Sequence, residues 1–182
     1  MAPWDNCPAM PEIPLETKEC CMRRQTRRQK LAMMLVVLLM AAGLSLAASA
    51  QQAPDPGRLW THITKSSPYT QWDHWPGHVG MQPGKSPHGE LHRVFVNQQA
   101  LSSSAPAASY GSIVVKENYD AEKQLTALTV MFKVKDFNPK HGDWFWTKFA
   151  PDGTVLASGK PGPCISCHSA AADNDFIFLH VL

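Results

Sequence analysis

The sequence predicts an α+β fold, mainly antiparallel β-sheet with short helices, in a single domain over residues 60–182. Three observations carry this reading. Short segments rich in Val, Ile, Phe and Trp recur between Leu91 and Ser158. Gly, Pro, Asn and Asp cluster between them, as turns joining antiparallel neighbours require. No long apolar run at helical spacing breaks the series, which argues against a helical bundle.

The elements follow in order. Gln51 to Gly57 is polar and contains proline, so residues 51–59 are expected to form a flexible tail. Arg58 to Lys65 has the length of a short helical turn, closed by Ser66-Ser67-Pro68. Tyr69 to Pro87 is rich in Trp, His, Pro and Gly without a period, which predicts irregular structure wrapped on a surface or pocket. Leu91 to Asn97, with Val94, Phe95 and Val96, is the first strand. Gln98 to Ser109 is small and polar and is expected to be a loop. Gly111 to Glu117 is the second strand. Leu125 to Lys135 is the third, with Leu128, Val130, Phe132 and Val134 alternating with Thr129, Lys133 and Lys135, the period of a half-buried strand. A turn at Asn138-Pro139 and His141-Gly142-Asp143 leads to the fourth, Trp144 to Ala150. Pro151-Asp152-Gly153 turns into a short fifth, Thr154 to Ser158, and Gly159 to Pro163 delivers the chain to Cys164.

The first fifty residues differ in kind. Arg23, Arg24, Arg27, Arg28 and Lys30 precede an apolar run from Leu31 to Ala47, and Ala48-Ser49-Ala50 follows. A basic region, an apolar core and a small-residue site read as a secretory signal peptide over residues 1–50. Met22, just before the paired arginines, is an alternative start. Export to the periplasm is the expectation, with no membrane association once the leader is cut. Residues 51–182 then hold nine Lys and two Arg against eight Asp and three Glu. This balance gives no reason to expect a nucleic-acid partner.

Removal of the leader takes Cys7, Cys20 and Cys21 with it. The two cysteines left stand in Cys164-Ile165-Ser166-Cys167-His168. C-x-x-C-H is the attachment sequence of c-type haem. Two thiols at this spacing reach the two vinyl groups on one haem edge, and the histidine that follows lies under the ring as the axial base of the iron. The expected cofactor is one haem c, covalent through Cys164 and Cys167, with His168 on the metal. Two competing readings are weaker. A thioredoxin-like pair wants a βαβ pattern, and none precedes it. A zinc site wants two further ligands, and there is no second C-x-x-C. For the sixth coordination position, Met81 in a Gly-Met-Gln-Pro-Gly loop is a candidate, whereas Met131 reads as packing within a strand. His88 and His92 are four apart, but Gly89 argues against a helix, so they read as loop histidines.

The domain resembles the cytochrome P460 family and its relatives, the cytochromes c′-β. The resemblance runs from about Trp60 to Leu182. It is carried by Pro83-Gly-Lys-Ser-Pro-His-Gly89, Arg93-Val-Phe-Val-Asn97, Gly111-Ser-Ile-Val-Val-Lys-Glu117, Met131-Phe-Lys-Val-Lys-Asp136, Gly142-Asp-Trp-Phe-Trp146, and the C-terminal haem motif with Asp175-Phe-Ile-Phe178. It implies an antiparallel β fold, a homodimer and a five-coordinate haem. In hydroxylamine-oxidising members a lysine is bonded to a haem meso carbon; that lysine corresponds to Lys116. The family's distal arginine corresponds to Arg93, so Lys116 and Arg93 are the implied catalytic residues. Those members also use a distal carboxylate, where this chain has Ala127; Glu122 is the nearest acid in sequence. Trp72, Trp75, Trp144, Trp146, Phe176 and Phe178 are expected to pack in the core or on the haem, and Asp173 and Asp175 to cap or lie at the surface.

Three functions remain open at this point. The first is a P460-type oxidoreductase that oxidises hydroxylamine and passes electrons to a partner cytochrome. The second is a non-enzymatic nitric-oxide-binding protein of the cytochrome c′-β kind. The third is a plain electron carrier with a six-coordinate haem.

Overall fold

The computed structural model describes residues 53–182. The expected leader lies outside the described residues. Order begins earlier than the sequence suggests. Helix α1 spans Pro56–Thr61; the Asp55 carboxylate caps it by accepting from Arg58 N at 2.7 Å, and proline occupies its first turn. Leu59 and, in the π-helical turn His62–Ser66 that follows, Ile63 are buried in the core. Residues 56–59, expected in the tail, are therefore part of the domain: a capped helix with an apolar residue on its inner side docks rather than frays.

Six antiparallel strands make one sheet in sequential order: β1 Gln82–Pro83, β2 Leu91–Val96, β3 Ile113–Tyr119, β4 Leu125–Lys133, β5 Trp144–Phe149 and β6 Val155–Gly159. The expected antiparallel, strand-dominated α+β fold is what forms. The added strand, β1, pairs Gln82 with His92 and Pro83 with Leu91. Helix α2, Gln98–Leu101, sits in the segment expected to be a loop, capped where the Asn97 side chain accepts from Ala100 N at 3.1 Å. Helix α3, Gly162–His168, carries the C-x-x-C-H motif and runs into a 3-10 turn at Ser169–Asn174. Among the described residues no helix is long and apolar enough to cross a membrane.

Alternation divides the sheet into two faces. One carries Phe95, Ile113, Val115, Leu128, Val130, Phe145 and Phe149, covered by Leu59, Ile63 and Tyr69. The other carries Val94, Val96, Val114, Trp144 and Trp146, and packs against Trp75, Phe176 and Ile177. Because both faces are covered, the central strand β3 is buried along nearly its whole length. The turn between β5 and β6 requires glycine: Gly153 has φ of +91°, and a Cβ there would lie 2.6 Å from the Trp60 ring.

Alternation also places Lys133 on the second face, beside Thr129 and Met131. In a half-buried strand the lysine-bearing face would meet solvent, yet Lys133 is only 5% exposed. Its ammonium meets both carboxylate oxygens of Asp175, at 2.6 and 2.5 Å, and lies 5.0 Å over the Trp144 ring. Asp175, expected to cap or lie at the surface, is equally buried; its Oδ2 also accepts from Ala108 N at 2.8 Å. A buried ion pair thus ties the segment after the haem motif to the sheet.

Candidate haem site

A cavity of about 830 Å³ lies on the second face, between the sheet and α3. That is in the upper part of the range for cofactor pockets, roughly 300–1,000 Å³. Cys164, Cys167 and His168 from α3, Lys116 from β3, and Thr129 and Met131 from β4 all line it. Trp75, Val94, Val114 and Trp146 supply much of its apolar wall. The two cysteines are not joined in a disulfide, and burial is the main cause that raises the Cys164 pKa.

His168 is held in one orientation. Its Nδ1–H donates to the Phe176 carbonyl at 2.8 Å, while the Trp146 and Phe178 rings stand edge-on at 4.6 and 5.2 Å. That bond fixes the tautomer and leaves Nε2 bare, as a metal-bound imidazole requires. Burial is the first cause of a lowered His168 pKa, only partly offset by the Phe176 bond. The neutral, ligating form is favoured. The Phe176 carbonyl is aimed by unusual backbone: Asp175 and Phe176 have φ of +52° and +66°, a region in which residues other than glycine are uncommon. The Asp175 ion pair, together with a 2.8 Å bond from Trp144 Nε1 to the Asp175 carbonyl, holds them there. Two cysteine side chains, a bare imidazole nitrogen and an apolar cavity of cofactor size are a donor set that fits haem c.

Lys116 enters the cavity as the alternation of β3 implies, sharing its face with Val114. Burial lowers its pKa, so its ammonium gives up a proton more readily than an exposed lysine's.

Arg93 does not reach the cavity. In the register of β2 and β3, Val94 pairs with Lys116 and Arg93 with Glu117. Lys116 on the cavity side therefore sends Arg93 to the other face. There its Nε donates to Glu117 Oε2 at 2.7 Å and its Nη2 to the Tyr119 hydroxyl at 2.6 Å. Glu117 also accepts from Tyr69 at 2.8 Å, so Arg93 completes a polar cluster beneath the opposite core. Arg93, expected as a distal group over the iron, is therefore not among the residues lining the cavity. The residue beside it, His92, faces the cavity instead: it is 5% exposed, and its Nδ1 has no hydrogen-bond partner among the described residues.

The other sequence candidates divide similarly. Met81 is exposed and does not line the cavity, whereas Met131 does. Ala127 is buried on β4, pairing with Asn118. Glu122 lies exposed in the turn between β3 and β4. Trp72 packs with the first core, away from the cavity. His88 and His92, read from the sequence as loop histidines, both line it. For His92 the missed signal was its place in a strand, two residues before Val94, which puts both on one face. His88 has its pKa lowered to about 4, first by burial and then by the charge of Lys116.

A β-sheet domain with a C-x-x-C-H helix closing one side of an apolar cavity defines a c-type cytochrome unlike the helical ones. Comparison with family models specifies it further. The model described as Cytochrome P460 matches residues 66–179, and the chain belongs to the cytochrome P460 family. It is accordingly a haem protein of the c type. No curated protein matches the chain.

Proposed function

We propose that this chain is an exported mono-haem cytochrome that binds nitric oxide, or a kindred small nitrogen oxide, in the cavity beside His168. The observation that carries this is the lining itself: it is largely apolar and, among the described residues, includes no Asp or Glu. Oxidation of hydroxylamine releases protons as well as electrons; the hydroxylamine-oxidising members use a carboxylate for them, whereas the proton acceptors lining this cavity are histidines and lysines. With Ala127 at the expected acid position and Arg93 turned away, the cavity suits reversible binding of a small neutral molecule better than turnover.

The chain's own groups have defined parts in this reading. Cys164 and Cys167 would hold the haem through thioethers, each thiol adding its S–H across one vinyl group. His168 Nε2 would hold the iron, with the Nδ1 bond to the Phe176 carbonyl keeping the ring neutral and oriented. Trp75, Val94 and Trp146 exclude water. When bound, haem supplies an iron that can take a small ligand and exchange single electrons. Periplasmic location, leader removal after Ala50, a homodimer and electron exchange with another cytochrome belong to the same reading.

Hydroxylamine oxidation is kept as the second reading because Lys116 stands in the cavity with its ammonium destabilised. A bond from its Nζ to a meso carbon replaces one N–H and one C–H and needs a two-electron oxidant. The test uses the purified exported protein. Binding of one nitric oxide per haem with no hydroxylamine-dependent reduction of an electron acceptor is expected. Sustained hydroxylamine oxidation would overturn the first reading in favour of the second. In that case a strongly red-shifted ferrous Soret band, and a tryptic digest without free Lys116, report the cross-link.

A further inference from the structure

The structure assigns Asn174 as a positioning residue for His168, acting through the peptide unit between Phe176 and Ile177. This rests on the reading that haem stands in the cavity with His168 on the iron, and it adds a residue that does not itself line the cavity. The carbonyl of that peptide accepts from His168 Nδ1 at 2.8 Å. Its N–H, from Ile177, donates to the Asn174 carbonyl at 3.0 Å. In a trans peptide the oxygen and the hydrogen point in opposite directions from one rigid plane. The plane is therefore clamped at both ends, and it cannot turn away from His168 without breaking the bond to Asn174.

The side chain of Asn174 closes the clamp. Its Nδ2 donates to the Ile177 carbonyl at 2.7 Å and to the His180 carbonyl at 2.6 Å, and its Oδ1 accepts from Leu182 N at 3.1 Å. One residue thus holds Ile177 through both its N–H and its carbonyl. Among the described residues, residues 178–182 make no main-chain to main-chain hydrogen bond. The Asn174 amide is what ties this stretch down by hydrogen bonding.

The turn gives the clamp something to resist. Asp175 and Phe176 are its two central residues, and both have positive φ, which is costly for residues other than glycine. Without restraint the turn relaxes and swings the Phe176 carbonyl off Nδ1. The two bonds also run in series, from the imidazole N–H to the Phe176 carbonyl and from the Ile177 N–H to the Asn174 carbonyl. Hydrogen bonds in series polarise one another. A carbonyl whose own amide hydrogen is engaged accepts more strongly, which makes the imidazole a more basic ligand. A more basic ligand favours ferric over ferrous iron.

The test uses the full chain, exported and haem-loaded. In the wild type, as the diamagnetic ferrous carbon monoxide form, the Ile177 amide is expected to exchange slowly by nuclear magnetic resonance. Fast exchange overturns the inference, and this measurement decides the matter if Asn174→Ala does not fold. Asn174→Ala is expected to lower the iron–imidazole stretching frequency in resonance Raman spectra of the ferrous protein. It is also expected to shift the ferric–ferrous equilibrium towards ferrous iron, with haem mass unchanged. One hydrogen bond is worth a factor of about 2–12 in an equilibrium, so the shift should reach up to about tenfold, about 59 mV for one electron. His180→Ala loosens the same stretch by removing the ring that stacks on Trp75 at 5.0 Å and 14°. It keeps the Asn174 bonds, so neither readout should move. An Asn174→Ala protein with the wild-type frequency and potential overturns the inference, as does a His180→Ala protein that shifts as far. A haem adduct by mass in those cases leaves the haem site standing and removes Asn174 alone. Colourless protein with both thiols open to alkylation overturns the haem site and this inference together.

Discussion

Replacing Asp175 by asparagine removes one charge of a buried pair and changes little else. Asparagine has nearly the same shape and tolerates the left-handed backbone, here φ of +52°. The bond from Trp144 Nε1 goes to the Asp175 main-chain carbonyl and survives. What is lost is the partner of Lys133, whose side chain is 5% exposed. An ammonium left alone in such a site costs about 3–5 kcal/mol. With a urea slope of roughly 1–3 kcal/mol per molar for a small domain, the unfolding midpoint should fall by more than about 1 M. Tryptophan fluorescence during urea titration of the haem-loaded protein measures this. The double variant Lys133→Met with Asp175→Asn tests the cause, because it removes the stranded charge and should recover most of the loss. Because the same carboxylate holds the Phe176 carbonyl against His168, the single variant should also broaden the axial-ligand signals of the haem. A loss under about 1 kcal/mol, or a double variant as unstable as the single, would refute the argument that the pair is buried and coupled.

Gly153→Ala places a methyl against the Trp60 ring at positive φ; a loss of about 1–3 kcal/mol is expected in the same urea assay. Alkaline pH acts through Tyr69, whose pKa is raised first by burial and then by its bond to Glu117. The folded state therefore holds this proton more tightly than the unfolded chain, so stability is lost as pH rises above the unfolded tyrosine value of about 10. Urea midpoints against pH should fall less steeply there for Tyr69→Phe than for the wild type. Cys167→Ser should leave a single thioether, detected as a haem that stays on the denatured chain through Cys164 alone, while the paired Cys164→Ser and Cys167→Ser variant should release all haem on denaturation.

Strand positions were legible because they follow from local chemistry. β-Branched and aromatic residues with period two mark β2 to β6, and Gly153 and the Asn138-Pro139 pair mark turns, whatever lies elsewhere in the chain. The helix α1 was missed in part because its stability comes from Leu59 meeting the far core, and β1 because two residues carry no period. The burial of Lys133 was not legible for a similar reason: alternation told its face, but only the arrival of Asp175 from 42 residues away makes that face an interior one. The haem motif was the most legible feature of all, since five consecutive residues hold the whole attachment chemistry.

The sequence by itself determined the class of cofactor, the antiparallel sheet and the family. These depend on spacing within a few residues, where covalent geometry limits what the chain can do. Only the tertiary structure decided which side chains surround the cavity. Arg93 and Lys116 look equally apt in the sequence, yet pairing Val94 with Lys116 sets them on opposite faces. His88 and His92 look alike as neighbours in sequence, yet one reaches the cavity from a loop and the other from a strand. Register is a property of two strands together, and a shift of one residue exchanges the two faces.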